Sequence, residues 1–279
     1  MQKTILAGAL ALALPLAAFA ADPAATPADG NWHGSGEAGL ALASGNAKSQ
    51  NLNAKLTLKK EDDLWKYNFF LEAQRNKADV SSSTTYIDNS TNPPTQTIVT
   101  NTAYQLTSNR YDTGASIGYK FDDRSYVVGA LRYEHDAFSP YQYQYTASIG
   151  YGYQLLKNAS DELSAEIGPG YKVQQPKGVY VGNPPVFSKP DSDSYVVARG
   201  LVNYKHNFNE TTSLVDTFLV EAGSTNTYMQ NDIGLQVKMT DKLALKAGYQ
   251  IRHNTDIPVG SSYTKKTDQL LTTNLVYGF

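Results

Sequence analysis

The sequence predicts an all-β protein: a single closed antiparallel transmembrane β-barrel of about twelve strands, with short periplasmic turns and longer extracellular loops. Three observations carry that expectation. After residue 31, apolar residues recur at every second position in segments of about 11–15 residues, longer than strands of soluble sheets. The connections between these segments alternate between short and long. The chain runs out on Leu275, Tyr277 and Phe279, an aromatic final strand.

The N-terminal segment is of another kind. Lys3, the apolar run from Ile5 to Phe19 and the small-x-small ending Ala18-Phe19-Ala20 predict a secretory signal peptide over 1–20. Its removal takes one lysine and moves the formal net charge from −2 to −3. Residues 21–31 read as a disordered Pro/Ala linker, and residues 32–279 as the barrel. A near-neutral exported chain lacks the basic surface that phosphate neutralisation needs, so no nucleic-acid partner is expected. With no cysteine, there is neither a disulfide framework nor a thiolate ligand. No later segment has the apolar length of a spanning helix.

Side chains i, i+2 and i+4 share one face of a strand, so each segment divides into an outward and an inward set. The first strand, about 32–43, sets Trp32, Ala38, Leu40 and Leu42 against His33, Ser35 and Glu37. Ser44-Gly45-Asn46 then turns the chain. The second, about 49–60, sets Leu52, Leu56 and Leu58 against Asn53, Lys55 and Lys59; the third, about 64–77, sets Trp65, Tyr67, Phe69 and Leu71 against Lys66, Asn68 and Glu72. A long loop is expected at 78–101. The fourth, about 102–120, puts Arg110 and Asp112 opposite Tyr111, Ile117 and Tyr119, and the fifth, about 125–135, puts Arg132 and Glu134 opposite Val127, Leu131 and Tyr133. The sixth, about 141–155, puts Gln142 and Gln144 opposite Tyr143, Tyr145, Ile149, Tyr151 and Tyr153. The seventh, about 162–174, puts Glu166 and Lys172 opposite Leu163, Ile167 and Tyr171. A second long loop follows at 175–193. The eighth, about 194–206, faces Arg199, Asn203 and Lys205 inward; the ninth, about 211–222, is ambiguous in parity. The tenth, eleventh and twelfth (about 226–239, 243–253 and 267–279) place Asp232, Lys246, Arg252 and Asn274 inward.

Closure follows from the solvent: at mid-bilayer no water satisfies an open sheet edge. Tyr119, Tyr153, Tyr204 and Tyr277 fall near the inner strand ends, and Tyr133, Tyr143, Tyr171 and Tyr249 near the outer ones, the levels of aromatic girdles. The expected surroundings are outer-membrane lipid and lipopolysaccharide. Tyr277 and Phe279 resemble the C-terminal signal read by the barrel-assembly machinery.

The residues that could act lie mostly inside. Lys55, Lys66, Arg110, Arg132, Arg199, Lys246 and Arg252 share the inward face with Glu37, Glu72, Asp112, Glu134, Glu166 and Asp232. Two readings stay open: a narrow polar pore whose charged rows sort solutes, or an ion-pair network that fills the interior and fixes register. The near balance of sign argues against strong ion selectivity. The competing function class is a rim enzyme acting on lipid or peptide, which needs His with Ser or Asp in reach. His135 with Asp136 and Ser139, and His253 with Asp256, sit at outer strand ends, but parity turns both histidines outward. His206 lies near an inner turn, no pair has metal-ligand spacing, and Gly34-x-Gly36 precedes no helix, so neither metal nor cofactor is expected.

Trp32-x-Gly34-x-Gly36 with Ser44-Gly45-Asn46, then Tyr133-Glu134-x-Asp136-x-Phe138-Ser139 and Gly168-Pro169-Gly170-Tyr171, resembles the YdiY-type family of salt-induced outer-membrane proteins over most of residues 32–279. The resemblance implies an outer-membrane barrel associated with salt or osmotic stress, and it supplies no catalytic residues.

Overall fold

A computed structural model describes residues 28–44, 48–182, 186–257 and 265–279. The expected signal peptide, the linker up to residue 27 and the Gly45-Asn46 part of the first turn lie outside them. Fourteen strands are present among the described residues: β1 (Trp32–Ala43), β2 (Ser49–Glu61), β3 (Trp65–Asp88), β4 (Thr95–Lys120), β5 (Ser125–Asp136), β6 (Tyr141–Lys157), β7 (Asp161–Pro176), β8 (Val179–Val181), β9 (Val186–Ser188), β10 (Asp193–Asn207), β11 (Thr212–Gly223), β12 (Thr227–Lys238), β13 (Leu243–Asn254) and β14 (Thr267–Gly278). All but β8 and β9 close into one antiparallel barrel of twelve strands, in chain order around the ring, with β14 paired back to β1.

The polarity of this cylinder is the reverse of a soluble protein's. Arg110 is 2% exposed, whereas Leu271 is 78% and Ile167 69% exposed. Contiguous apolar surface of that extent needs a non-aqueous surrounding. Aromatic side chains cluster at the two ends of the outer face: Trp65 packs edge-on to Tyr119 at 5.1 Å on the turn end, and Tyr143 stacks on Tyr133 and Tyr145 on the loop end.

Closure of the ring is local at the β1–β14 seam. Their ladder runs only from Ser35–Gly278 to Ala38–Leu275, extended by Gly34 and Phe279, which exchange backbone hydrogen bonds of 2.6 and 2.9 Å. The Phe279 ring lies so close over Gly34 that a Cβ there would come within 2.3 Å of it. On the lumen side, Asn53 of β2 donates to Asn274 Oδ1 of β14 at 2.6 Å, reaching over β1 where Gly39 leaves room. Gly30, at φ 71°, donates its N–H to the Glu61 carbonyl at 2.9 Å and ties residues 28–31 to the turn end.

Three features depart from the sequence reading. The expected loop at 78–101 is instead a paired extension of β3 and β4, in register from Ala78–Gln105 to Asp88–Thr95. Both faces of this arm mix apolar residues (Val80 and Tyr86 on one, Ile87 on the other) with polar ones, so it carries no amphipathic alternation; hydroxyl pairs such as Ser81–Thr102 (2.8 Å) and Ser83–Thr100 (2.9 Å) run along it. Within the expected loop 175–193, β8 and β9 form a small hairpin with Tyr180 packed against Phe187. A bulge between Tyr141 and Tyr143 turns Tyr141 into the interior and leaves Gln142 exposed, contrary to the assigned inward face of Gln142. The ambiguous strand, β11, proves to face Ser213, Leu219 and Glu221 inward, with Asp216, Phe218 and Val220 on the outer face.

Candidate functional site: a charge network across the lumen

Alternation along β3, β4, β5, β12 and β13 aims their charged residues at the barrel axis, and at the loop end these side chains meet. Arg132 is the hub. Its Nε and Nη2 donate to the two oxygens of Asp112 at 3.1 and 2.5 Å, and Nη2 also reaches Glu134 Oε2 at 2.8 Å. From the same group, bonds of 3.3 Å to the Tyr228 hydroxyl and 3.2 Å to Gln230 Oε1 cross to β12, on the far side of the ring. Its guanidinium lies 5.0 Å from the Tyr228 ring centre, and Lys172 Nζ lies 4.9 Å from it.

Arg110 extends the network. It donates to Asp112 at 3.2 Å and to Gln250 Oε1 at 3.0 Å, with Glu134 at 3.8 Å and Glu72 at 3.9 Å. Gln250 passes the connection to Asp232 at 2.5 Å and to Glu72 at 3.3 Å. Arg252 of β13 meets Glu134 of β5 at 3.4 Å and Asp136 at 3.6 Å. Charges this deeply buried are tolerated only with close partners of opposite sign. Six buried side-chain atoms among the described residues nevertheless have no hydrogen-bond partner: Asn68 Oδ1, Gln74 Oε1, Arg110 Nε, Gln144 Oε1, Glu221 Oε1 and Gln236 Nε2.

Of the inward residues expected from sequence, Glu72, Arg110, Asp112, Arg132, Glu134, Asp232 and Arg252 thus come together, and Lys55 joins through Glu72 at 3.6 Å. Others form separate pairs. Lys246 donates to Glu37 at 3.0 Å, and Asn274 donates to the same carboxylate at 3.2 Å. Arg199 meets Glu166 at 3.2 Å, shared with the Tyr126 hydroxyl, while Lys66 meets Glu61 at 3.4 Å. Beside the network lies a cavity of about 60 Å³, lined in part by Glu37, Lys55, Glu72, Asp232 and Lys246. That is room for a few waters.

Sequence reasoning missed several members. Lys172 and Glu221 form a fully buried pair at 2.7 Å; the unresolved parity of the ninth strand hid Glu221. Tyr228 and Gln250 share parity with Asp232 and Arg252, a signal that a search restricted to charges passes over.

The histidines point where parity sends them. His135 stacks on Tyr111 at 5.0 Å on the outer face, and His253 Nδ1 hydrogen-bonds Thr267 Oγ1 at 2.8 Å. Asp136 turns inward to Arg252, away from His135. His206 has a partner the sequence did not suggest: Asp161, at 2.8 Å, which also accepts from Tyr204 and Ser160. There the serine bonds the carboxylate and not the imidazole, so the arrangement is not that of an activated nucleophile.

A closed ring, an apolar outer belt and a charged interior define a transmembrane β-barrel of the bacterial outer-membrane type. The chain belongs to the family described as protein of unknown function DUF481, whose model matches residues 36–279 and which includes the YdiY-like proteins. No curated protein matches the chain. Among solved structures it is similar to the translocator domain of the autotransporter NalP from Neisseria meningitidis (10% identity, 89% of this chain and 86% of that one, TM-score 0.44). It is also similar to the NanC porin (11% identity, 89% and 98%, TM-score 0.40). The beta domain of the Bordetella autotransporter BrkA is a further likeness (10% identity, 89% and 97%, TM-score 0.39). At such identities and scores nothing about ligands or function passes to this chain.

Proposed function

We propose that this chain is a non-enzymatic barrel of a Gram-negative outer membrane whose lumen is a narrow polar channel, held shut at its loop end by the Arg110–Arg132–Arg252 network. The observation that carries this reading is the set of side-chain bonds between opposite walls: Arg132 to Tyr228, Arg110 to Gln250 and Arg252 to Glu134. Beside them lies a cavity of about 60 Å³, room for a few waters. Arg110 Nε and Glu221 Oε1, buried without a hydrogen bond, favour a plug that can rearrange over a finished core, because a partly satisfied buried network gains by finding new partners. The link to salt stress is implied by the YdiY-type resemblance. It has a physical counterpart: buried pairs are screened far less than surface pairs, so closure persists as ionic strength rises. Lipid and lipopolysaccharide are the surroundings of the outer belt, and the final strand with Tyr277 and Phe279 is the segment offered to the assembly machinery.

Planar-bilayer recording tests this. Wild-type protein should show little current, and Arg132→Ala or Glu134→Ala should give stepwise current. If neither variant conducts while both remain folded, the channel reading fails and a permanently filled barrel stands in its place.

A further inference from the structure

The outer face of β11 carries a charged residue, Asp216, in register with Tyr204 of the turn-end girdle on one side and with Ile233 on the other. Asp216 lies in the fifth position of β11 and Asn231 in the fifth of β12, both on the lipid-facing side, with Asn231 Nδ2 donating to Asp216 Oδ1 at 2.6 Å. Around them the same face is apolar: Asp216 pairs in register with Ile233 and Asn231 with Phe218, and both neighbours are exposed. A polar pair on a lipid-facing surface is costly, and such groups are usually turned toward the interior or toward another polar surface. This one is turned outward.

Its hydrogen bonding is also incomplete. The carboxyl oxygen Asp216 Oδ2 has no bond among the described residues. The second N–H of Asn231 reaches only the Thr217 carbonyl, at 3.5 Å, the outer limit of a hydrogen bond. One acceptor and one donor therefore stand side by side on an apolar surface. Under two-fold symmetry that arrangement is self-complementary: what one copy offers is what the other lacks.

We infer that the β11–β12 face is a contact between two copies of this chain in the membrane, in which Asn231 of each copy donates to Asp216 Oδ2 of the other. Phe218 and Ile233 pack around the four polar groups and exclude lipid from them. A different membrane protein as occupant would have to supply a donor and an acceptor in the same spacing, which a second copy does without any further requirement.

The chain has no native cysteine, so single-cysteine variants report on the contact cleanly. In lipid vesicles, Phe218→Cys should give a cross-linked dimer under mild oxidation or with a short bis-maleimide, and Ile149→Cys, on the outer face of β6, should not. Adding Asp216→Leu and Asn231→Leu to Phe218→Cys should lower the cross-linked fraction at fixed protein-to-lipid ratio. The loss should be about tenfold in association constant, the ratio that two intramembrane hydrogen bonds of ordinary strength supply together. Leucine suits a lipid-facing position, so this variant should still fold, as judged by its heat-modifiable gel mobility. Absence of a Phe218→Cys dimer, equal cross-linking at Ile149→Cys, or an unchanged dimer in the leucine variant would each overturn the inference.

Discussion

Arg252 and Glu134, on strands at opposite sides of the barrel, meet at 3.4 Å in the middle of the lumen. Both belong to the same connected set as Arg132 and Asp112, so the network behaves as one unit and single substitutions in it should not add. Arg132→Met strands Asp112 and Glu134 beside one another and should destabilise by about 3–5 kcal/mol, the usual cost of breaking a buried pair. Combining it with Asp112→Leu should recover part of that loss. Urea unfolding in lipid vesicles, run as a double-mutant cycle, would check this; strictly additive losses would contradict the network.

The inversion of polarity makes a second prediction. Replacing outward Leu56, Ile149 or Leu235 by Arg should cost about 2–4 kcal/mol near mid-bilayer. Asn203→Arg, on the exposed inward face of β10, should be much milder. Equal losses in a vesicle refolding assay would mean the faces are wrongly assigned.

The seam offers a third. A Cβ at Gly39 would lie 2.4 Å from both Asn53 Oδ1 and Asn274 Oδ1, so Gly39→Val has to push the bridging amides apart. Overpacking of this kind costs about 1–3 kcal/mol. The loss should be smaller when Asn53→Ala accompanies it, because the obstacle has been removed, and thermal melting of the four variants would show it.

Apart from Asp79, which exchanges hydrogen bonds with Lys48, the arm formed by residues 79–104 pairs only with itself. Replacing it with a two-residue turn should leave the melting temperature of the barrel within about a degree or two, as surface changes remote from the core generally do. A large drop would show that the arm braces the ring.

At the turn end, Asp122 accepts the backbone N–H groups of Arg124 and Ser125, both at 2.7 Å, and these bonds hold its carboxyl below the usual carboxylate range. A carboxyl lowered in the folded state stabilises above its unfolded value, and the benefit disappears as pH falls through the folded one. Carboxyl carbon NMR should therefore place the Asp122 midpoint lower in the intact protein than in Asp122 of an unfolded control peptide. Coincident midpoints would remove the turn's role.

The number, direction and faces of most strands were legible because lipid imposes a strict alternation, and Ile149, Leu235 and Arg110 obey it. Where no single side was greasy, the signal vanished. Ser81, Ser83, Thr100 and Thr102 alternate nothing, so a ribbon read as a loop. On β11, Asp216 shares a face with Phe218 and Val220, while Leu219 shares one with Glu221; mixed company on both sides left the parity open. Most charged members of the network could be listed from parity, but their meeting across the axis could not. Parity gives the direction of a side chain and says nothing of its reach, and the partnership of Arg132 with Tyr228 depends on the diameter of the ring.

The pairing of the first strand with the last has a temporal consequence. Ser35 and Gly278 come from nearly opposite ends of the barrel sequence, so the circle cannot be completed while the chain is still arriving. Until β14 is delivered, two rims of bare amides and carbonyls would face hydrocarbon, which tolerates neither. A helical membrane protein can enter piece by piece; this one must be held or templated at its edges and then go in whole.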